Sequence, residues 1–189
     1  FKTKKSLRFK EITSSGFHLK SDKEKRKEYR DRFKDIEGQF DPETGELVYY
    51  TDGKIDTSYN GFAVLTDESG ERWFYVESGK VPFTRDDILQ GKINDEDGWY
   101  LIRNSEFTPS TTVAQNSYGW WYVKNGRVDF DFYGVEQNQY GWWRIETGKV
   151  NFKAQSIYQN RYGWWKCKDG KVDFSYTGVA QNQYGWWRV

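Results

Sequence analysis

Methionine is absent from the 189-residue chain, cysteine and histidine occur once each, and proline three times. A single cysteine, Cys167, excludes an intrachain disulfide, and His18, alone and far from that cysteine, gives no metal-ligand spacing. No run of about 18 apolar residues occurs, so no membrane insertion is expected. Without methionine, Phe1 is not expected to be a natural start, which leaves room for a signal peptide upstream.

Aliphatic residues are also scarce: apolar residues make up 36% of the chain and mean hydropathy is −0.98. Such values point towards disorder, but aromatics at 20% supply the large buried areas that disordered chains lack, and a thin-cored fold is expected. Net charge is only +1, unevenly placed. Residues 1–38 carry 13 Lys and Arg against 7 Asp and Glu, a net of +6, and the remainder 16 against 21, a net of −5. The basic residues at the start are interleaved with acids, which describes a solvated helix face and not a nucleic-acid footprint, so no nucleic-acid partner is expected.

What the chain does have is repetition. Gly119, Gly141, Gly163 and Gly185 each precede a Trp-Trp pair at a spacing of 22 residues. Gly126, Gly148 and Gly170 keep that spacing, as do Val113, Val135, Ile157 and Val179, and the pairs Gln115-Asn116, Gln137-Asn138, Gln159-Asn160 and Gln181-Asn182 recur in phase. Looser copies lie upstream around Tyr49-Tyr50 with Asp52-Gly53, Trp73 with Ser78-Gly79 and Phe83, and Gly98-Trp99 with Phe107. Three segments follow. Residues 1–44 form an N-terminal strand and helix cap, or the tail of an upstream domain; residues 45–112 are degenerate hairpin repeats; residues 113–189 are regular GWW repeats. In the first, the capping-box pair Ser21 and Glu24, with Tyr29, Phe33 and Ile36 at helical spacing and Gly38 as a stop, predicts a helix, and the alternation of residues 6–12 a strand.

Within a repeat, "WWYVKNGRVDF" is two aromatic and β-branched runs around Asn125-Gly126, a two-residue signal for a type I′ turn. The fold class expected is therefore mainly β: a solenoid of stacked β-hairpins behind a short helical cap. The turn fixes a register in which Lys124 faces Arg127, Val123 faces Val128, Tyr122 faces Asp129 and Trp121 faces Phe130. Trp121, Val123, Val128 and Phe130 then share one apolar face, as do Trp143, Ile145, Val150 and Phe152, and Trp165, Cys167, Val172 and Phe174. The second Trp of each pair is expected in the core, and Cys167 is expected to be a small buried hydrophobe, not a nucleophile. Burying such a face against the next hairpin contributes several kcal/mol per repeat at about 25 cal/mol per Å², and a lone hairpin is marginal without it.

The first tryptophans, Trp120, Trp142, Trp164 and Trp186, fall on the mixed face, two residues after Tyr118, Tyr140, Tyr162 and Tyr184. Those eight side chains are the candidate ligand-binding set. They either cover the second side of the solenoid or form an aromatic ledge that stacks sugar rings or holds a quaternary ammonium. No catalytic residue and no metal ligand is assigned: Asp86, Asp87, Asp95, Glu96 and Asp97 form only a charged loop, and no cofactor is called for.

The unit best seen across Gly134 to Phe152 and Gly178 to Val189 resembles the cell-wall-binding repeats of Gram-positive surface proteins. It is similar to the choline-binding repeats of streptococcal wall hydrolases and most resembles the GWW-rich repeats of gut Firmicutes surface proteins. The resemblance implies a hairpin solenoid, a non-catalytic role, a ligand site between consecutive hairpins, and an extracellular place on the bacterial surface or secreted from it. It maps one cage wall onto Trp120, Trp142, Trp164 and Trp186, while Val113, Val135, Ile157 and Val179 stand where another cage Trp is found. A cell-wall glycan or other surface saccharide is the partner implied, ahead of a three-walled choline cage. A surface protein, or self-association through the open edge of the last strand, is the alternative.

Overall fold

The computed structural model describes residues 39–40, 47–51, 54–67 and 70–189. The expected helix from Ser21 to Gly38, the strand at 6–12, His18 and the Asp52-Gly53 turn lie outside the described residues. What is described is β structure joined by tight turns, in two compact units.

The first unit contains the short pairs β1 (Gln39–Phe40) with β2 (Leu47–Val48) and β3 (Tyr50–Thr51) with β4 (Lys54–Ile55), and a long hairpin of β5 (Gly61–Asp67) and β6 (Gly70–Val76). Alternation along β5 and β6 sends Ala63, Leu65, Phe74 and Val76 inward to meet Leu47, Tyr49 and Val81. Tyr49 stacks on Tyr59 at 3.7 Å. The next hairpin, β7 (Asp87–Ile93) with β8 (Glu96–Arg103), turns at Asn94-Asp95, and the chain turns again at Asn104-Ser105 before β9 (Glu106–Phe107). Both turns have positive φ at both residues without a glycine, which Asn and Asp tolerate best.

The second unit holds the regular repeats. Its strands are β10 (Thr112–Asn116), β11 (Gly119–Lys124) and β12 (Arg127–Val128), then β13 (Gly134–Asn138), β14 (Gly141–Glu146) and β15 (Lys149–Val150). There follow β16 (Ile157–Asn160), β17 (Gly163–Lys168) and β18 (Lys171–Val172), and finally β19 (Val179–Asn182) and β20 (Gly185–Arg188). The turn at Asn125-Gly126 has φ of 50° and 83°, and Val123 pairs with Val128 and Lys124 with Arg127, as the sequence predicts.

The rest of that register is corrected. β12 ends at Val128, because the Asp129 carboxylate accepts the Asp131 N–H at 3.1 Å and turns the chain out of the strand. The longer hairpin is upstream: β11 pairs with β10 from Thr112↔Val123 to Asn116↔Gly119, so Trp121 faces Ala114 and not Phe130. Phe130, Phe152 and Phe174 consequently stand exposed instead of in the apolar face. Tyr122, expected on the mixed face, is buried and stacked on Phe132 at 3.9 Å.

Both faces of each hairpin are thus used. Val113, Tyr122 and Trp120 of one repeat pack on Trp143, Ile145 and Val150 of the next, and Val135 and Trp142 pack likewise on Cys167 and Val172. The backbone fastens the same junctions: Tyr122 N–H donates to Gly148 C=O at 2.8 Å, and Arg144 N–H to Gly170 C=O at 2.8 Å. A Cβ on Gly148 would lie 2.4 Å from the Asp129 carbonyl oxygen, so at φ +72° only glycine permits this approach.

Candidate functional site

The site grows from one asparagine per repeat. Asn138 Oδ1 accepts the Tyr140 N–H and the Trp143 indole N–H, each at 2.9 Å, which fixes the turn and the ring of the second Trp together. Asn116, Asn160 and Asn182 do the same for Tyr118 and Trp121, Tyr162 and Trp165, and Tyr184 and Trp187. Asn138 Nδ2 also donates to the Val113 carbonyl of the preceding repeat at 3.1 Å. A carboxamide supplies acceptor and donor at once, which neither Asp nor Ser can do in this geometry.

With its N–H satisfied, Trp143 offers an edge to the repeat before it. Trp120 lies 5.1 Å from Trp143, 5.7 Å from Tyr140 and 5.9 Å from Phe152, measured between ring centroids, and Trp143 and Phe152 are 5.6 Å apart. Each such pair adds about 0.5–1.5 kcal/mol beyond burial. Tyr140 is 59% and Phe152 46% exposed, so the four rings form a nook open to solvent. Trp99 repeats the arrangement with Tyr118, Trp121 and Phe130 at 5.5, 5.2 and 5.6 Å. Trp164 stacks on Trp187 at 5.0 Å and meets Tyr184 at 6.3 Å.

The remaining junction is looser. Trp142 meets Tyr162 at 5.7 Å and Trp165 meets Phe174 at 5.3 Å, but no ring contact joins Trp142 to Trp165, and the buried Asn160 Nδ2 has no acceptor.

The predicted residues therefore assemble across repeats and not within them. Trp120, Trp142 and Trp164 are half-buried, each beside the Tyr of the following repeat, namely Tyr140, Tyr162 and Tyr184. Tyr118 joins Trp99, and Trp186, 69% exposed, makes no ring contact among the described residues. The second tryptophans are a correction: only Trp143 is buried, while Trp121, Trp165 and Trp187 are half-buried and wall the nooks. Trp99 and the three phenylalanines lie outside the set that the sequence predicts; their signal is the common spacing of Trp121 with Phe130, Trp143 with Phe152 and Trp165 with Phe174.

Cys167 is fully buried and desolvation pushes its thiol up to about 11. No cluster of three or more His, Cys, Asp or Glu side chains able to hold a metal occurs among the described residues. The Glu136 carboxyl, directly across the strand from Trp143, is raised by desolvation, with the Arg161 charge opposing.

The hairpins thus carry an aromatic cluster that recurs from repeat to repeat. The choline-binding repeat family, a class of non-catalytic binding module, matches three stretches of the second unit, residues 110–129, 131–151 and 175–189. No curated protein matches the chain. No helix among the described residues is long and apolar enough to cross a membrane.

Proposed function

We propose that the chain is an extracellular binding module that attaches a surface or secreted protein to a cell-wall polymer or another glycan, with its ligands seated in the aromatic nooks between consecutive hairpins. Residues 113–189 form the binding array, and residues 45–112 are the degenerate repeats that precede it in the sequence. The observation that carries this reading is the open nook of Trp120, Tyr140, Trp143 and Phe152, with exposed rings beside a ring locked by Asn138. Aromatic faces stack on sugars and attract alkylammonium groups, and nooks repeated every 22 residues add avidity without any single site being strong.

Retention on isolated Gram-positive cell walls tests this. Changing Trp120, Trp142 and Trp164 together to Ala is expected to abolish retention with the β-sheet circular dichroism kept; unchanged retention by a folded variant overturns the reading. A second reading, an adhesive spacer that holds a protein partner or a second copy, draws on Val179, Tyr184 and Trp186, all exposed on the β19–β20 hairpin. Concentration-dependent mass in sedimentation, lost in Trp186→Ser, would favour it.

A further inference from the structure

Three of the aromatic nooks have a basic side chain laid on one wall. Lys149 Nζ lies 4.9 Å from the Trp121 ring centroid, Lys171 Nζ 5.5 Å from that of Trp143, and the Arg161 guanidinium 4.8 Å from that of Tyr162. Fold and sequence both place the lysines. Trp121↔Lys149 and Trp143↔Lys171 are strand pairs between consecutive repeats, and the glycine before each Trp pair leaves the passage. A methyl on Gly119 would stand 2.5 Å from Lys149 Cε, and one on Gly141 2.5 Å from Lys171 Cε. One unit earlier Arg127 pairs with Tyr100 and lies 5.9 Å over its ring, and a Cβ on Gly98 would meet Arg127 Nε at 2.7 Å. Arg127, Lys149 and Lys171 keep the 22-residue period, so a cation on the aromatic wall belongs to the repeat. None of Lys149, Lys171 and Arg161 has a carboxylate within ion-pairing distance among the described residues.

Resting on the binding reading above, we propose that these resident cations make the nooks selective for a ligand that carries a phosphate or carboxylate beside its stacking group, over the same stacking group presented as a bare cation. A cation touching an indole sits within about 6 Å of its centroid, and so within about 11 Å of the ammonium already there. Repulsion at that range weakens binding about twofold to tenfold between the dielectric of water and that of a protein surface. An anionic group on the same ligand reverses the sign. The effect is strongest in the second nook. Phe130 stands between Asp129 and Asp131, and Phe174 beside Asp173, but Phe152 stands between Asn151 and Lys153, and Glu136 across from Trp143 is set against Arg161.

The test uses the full chain at low salt, with the tryptophan indole N–H resonances followed while choline, phosphocholine or inorganic phosphate is added. Phosphocholine is expected to bind more tightly than choline, and Lys171→Met, which keeps an apolar stem on the indole, to narrow that ratio at the Trp143 resonance by about twofold to tenfold. Arg161→Gln is expected to do so at the Trp142 and Trp165 resonances, and 0.5 M NaCl at all of them. Equal affinities in the parent chain, a ratio unchanged in both variants, or inorganic phosphate shifting the same resonances as strongly overturns the proposal while leaving the nooks as binding sites. Silence of every indole towards choline and phosphocholine removes the binding reading and the proposal with it.

Discussion

Asn138 Oδ1 accepts the Trp143 indole N–H at 2.9 Å while Asn138 Nδ2 donates to Val113 of the preceding repeat at 3.1 Å, so one side chain sets a wall of the nook and ties two repeats. Asn138→Ala strands the indole N–H of the buried Trp143 and the Val113 carbonyl, and is expected to cost about 1–3 kcal/mol in urea melts. Asn138→Asp keeps the acceptor and loses the donor. It is expected to cost less and to leave the Trp143 indole resonance near its parent position, whereas Asn138→Ala shifts it. Equal costs for the two variants would mean the tie to Val113, not the indole, carries the stability.

That asparagine recurs visibly in the sequence, but its work is only half legible there. Asn125-Gly126 declares its turn because both residues need positive φ, and the 22-residue period declares the repeat. The turn from Asn116 to Gly119 declares nothing comparable, since Ser117 and Tyr118 have ordinary φ and Asn116 makes it through its side chain. The turn signal at Asn125-Gly126 therefore points to the shorter strand pair, and the longer one, β10 with β11, lies upstream of it. Extending the register of that turn places Phe130 inward, but the Asp129 side chain ends the strand before it. Trp120 against Trp143 is a contact between repeats, and alternation within one strand carries no information about the offset between stacked hairpins.

Gly148 and Gly163 separate two reasons for glycine. At Gly148 the φ is +72°, and a Cβ would lie 2.4 Å from one backbone atom and 2.7 Å from another, neither free to move. At Gly163 the φ is +148° but nothing lies within 4 Å. Gly148→Ala is expected to lose the conformational term of about 1–2 kcal/mol and also the hydrogen bond from Tyr122 to Gly148. Gly163→Ala is expected to lose only the conformational term of its own glycine-favouring backbone region, about 1–3 kcal/mol. A Gly148→Ala variant that melts within about 1 kcal/mol of the parent would contradict the close approach at Gly148.

Cys167 occupies the position of Val123 and Ile145, fully buried with its thiol pushed up to about 11. An aromatic disulfide reagent at pH 8 is expected to react with it only at the rate of unfolding, and at once in denaturant. Cys167→Val is expected to change stability by less than about 1.5 kcal/mol. Cys167→Ser, which buries a hydroxyl in an apolar cluster with Val135 and Val172, is expected to cost about 1–3 kcal/mol. Fast labelling of the folded chain at pH 8 would show that the cluster is open.

Glu136 gives the sign of one pH effect. Desolvation raises its carboxyl while the Arg161 charge pulls it back, and the net direction is upward. A carboxyl raised on folding holds its proton more tightly in the folded state. Its contribution is therefore present below the unfolded value and lost as pH rises through the folded one, so at neutral pH the charge on Glu136 opposes folding. Glu136→Gln removes that charge and keeps the shape. Its melting temperature is expected to exceed the parent's at pH 7, with the difference shrinking towards zero at about pH 3, below the ordinary carboxylate range. A difference that does not change with pH would assign the effect to packing against Trp143, and a Gln variant less stable at pH 7 would make the attraction to Arg161 the larger of the two forces.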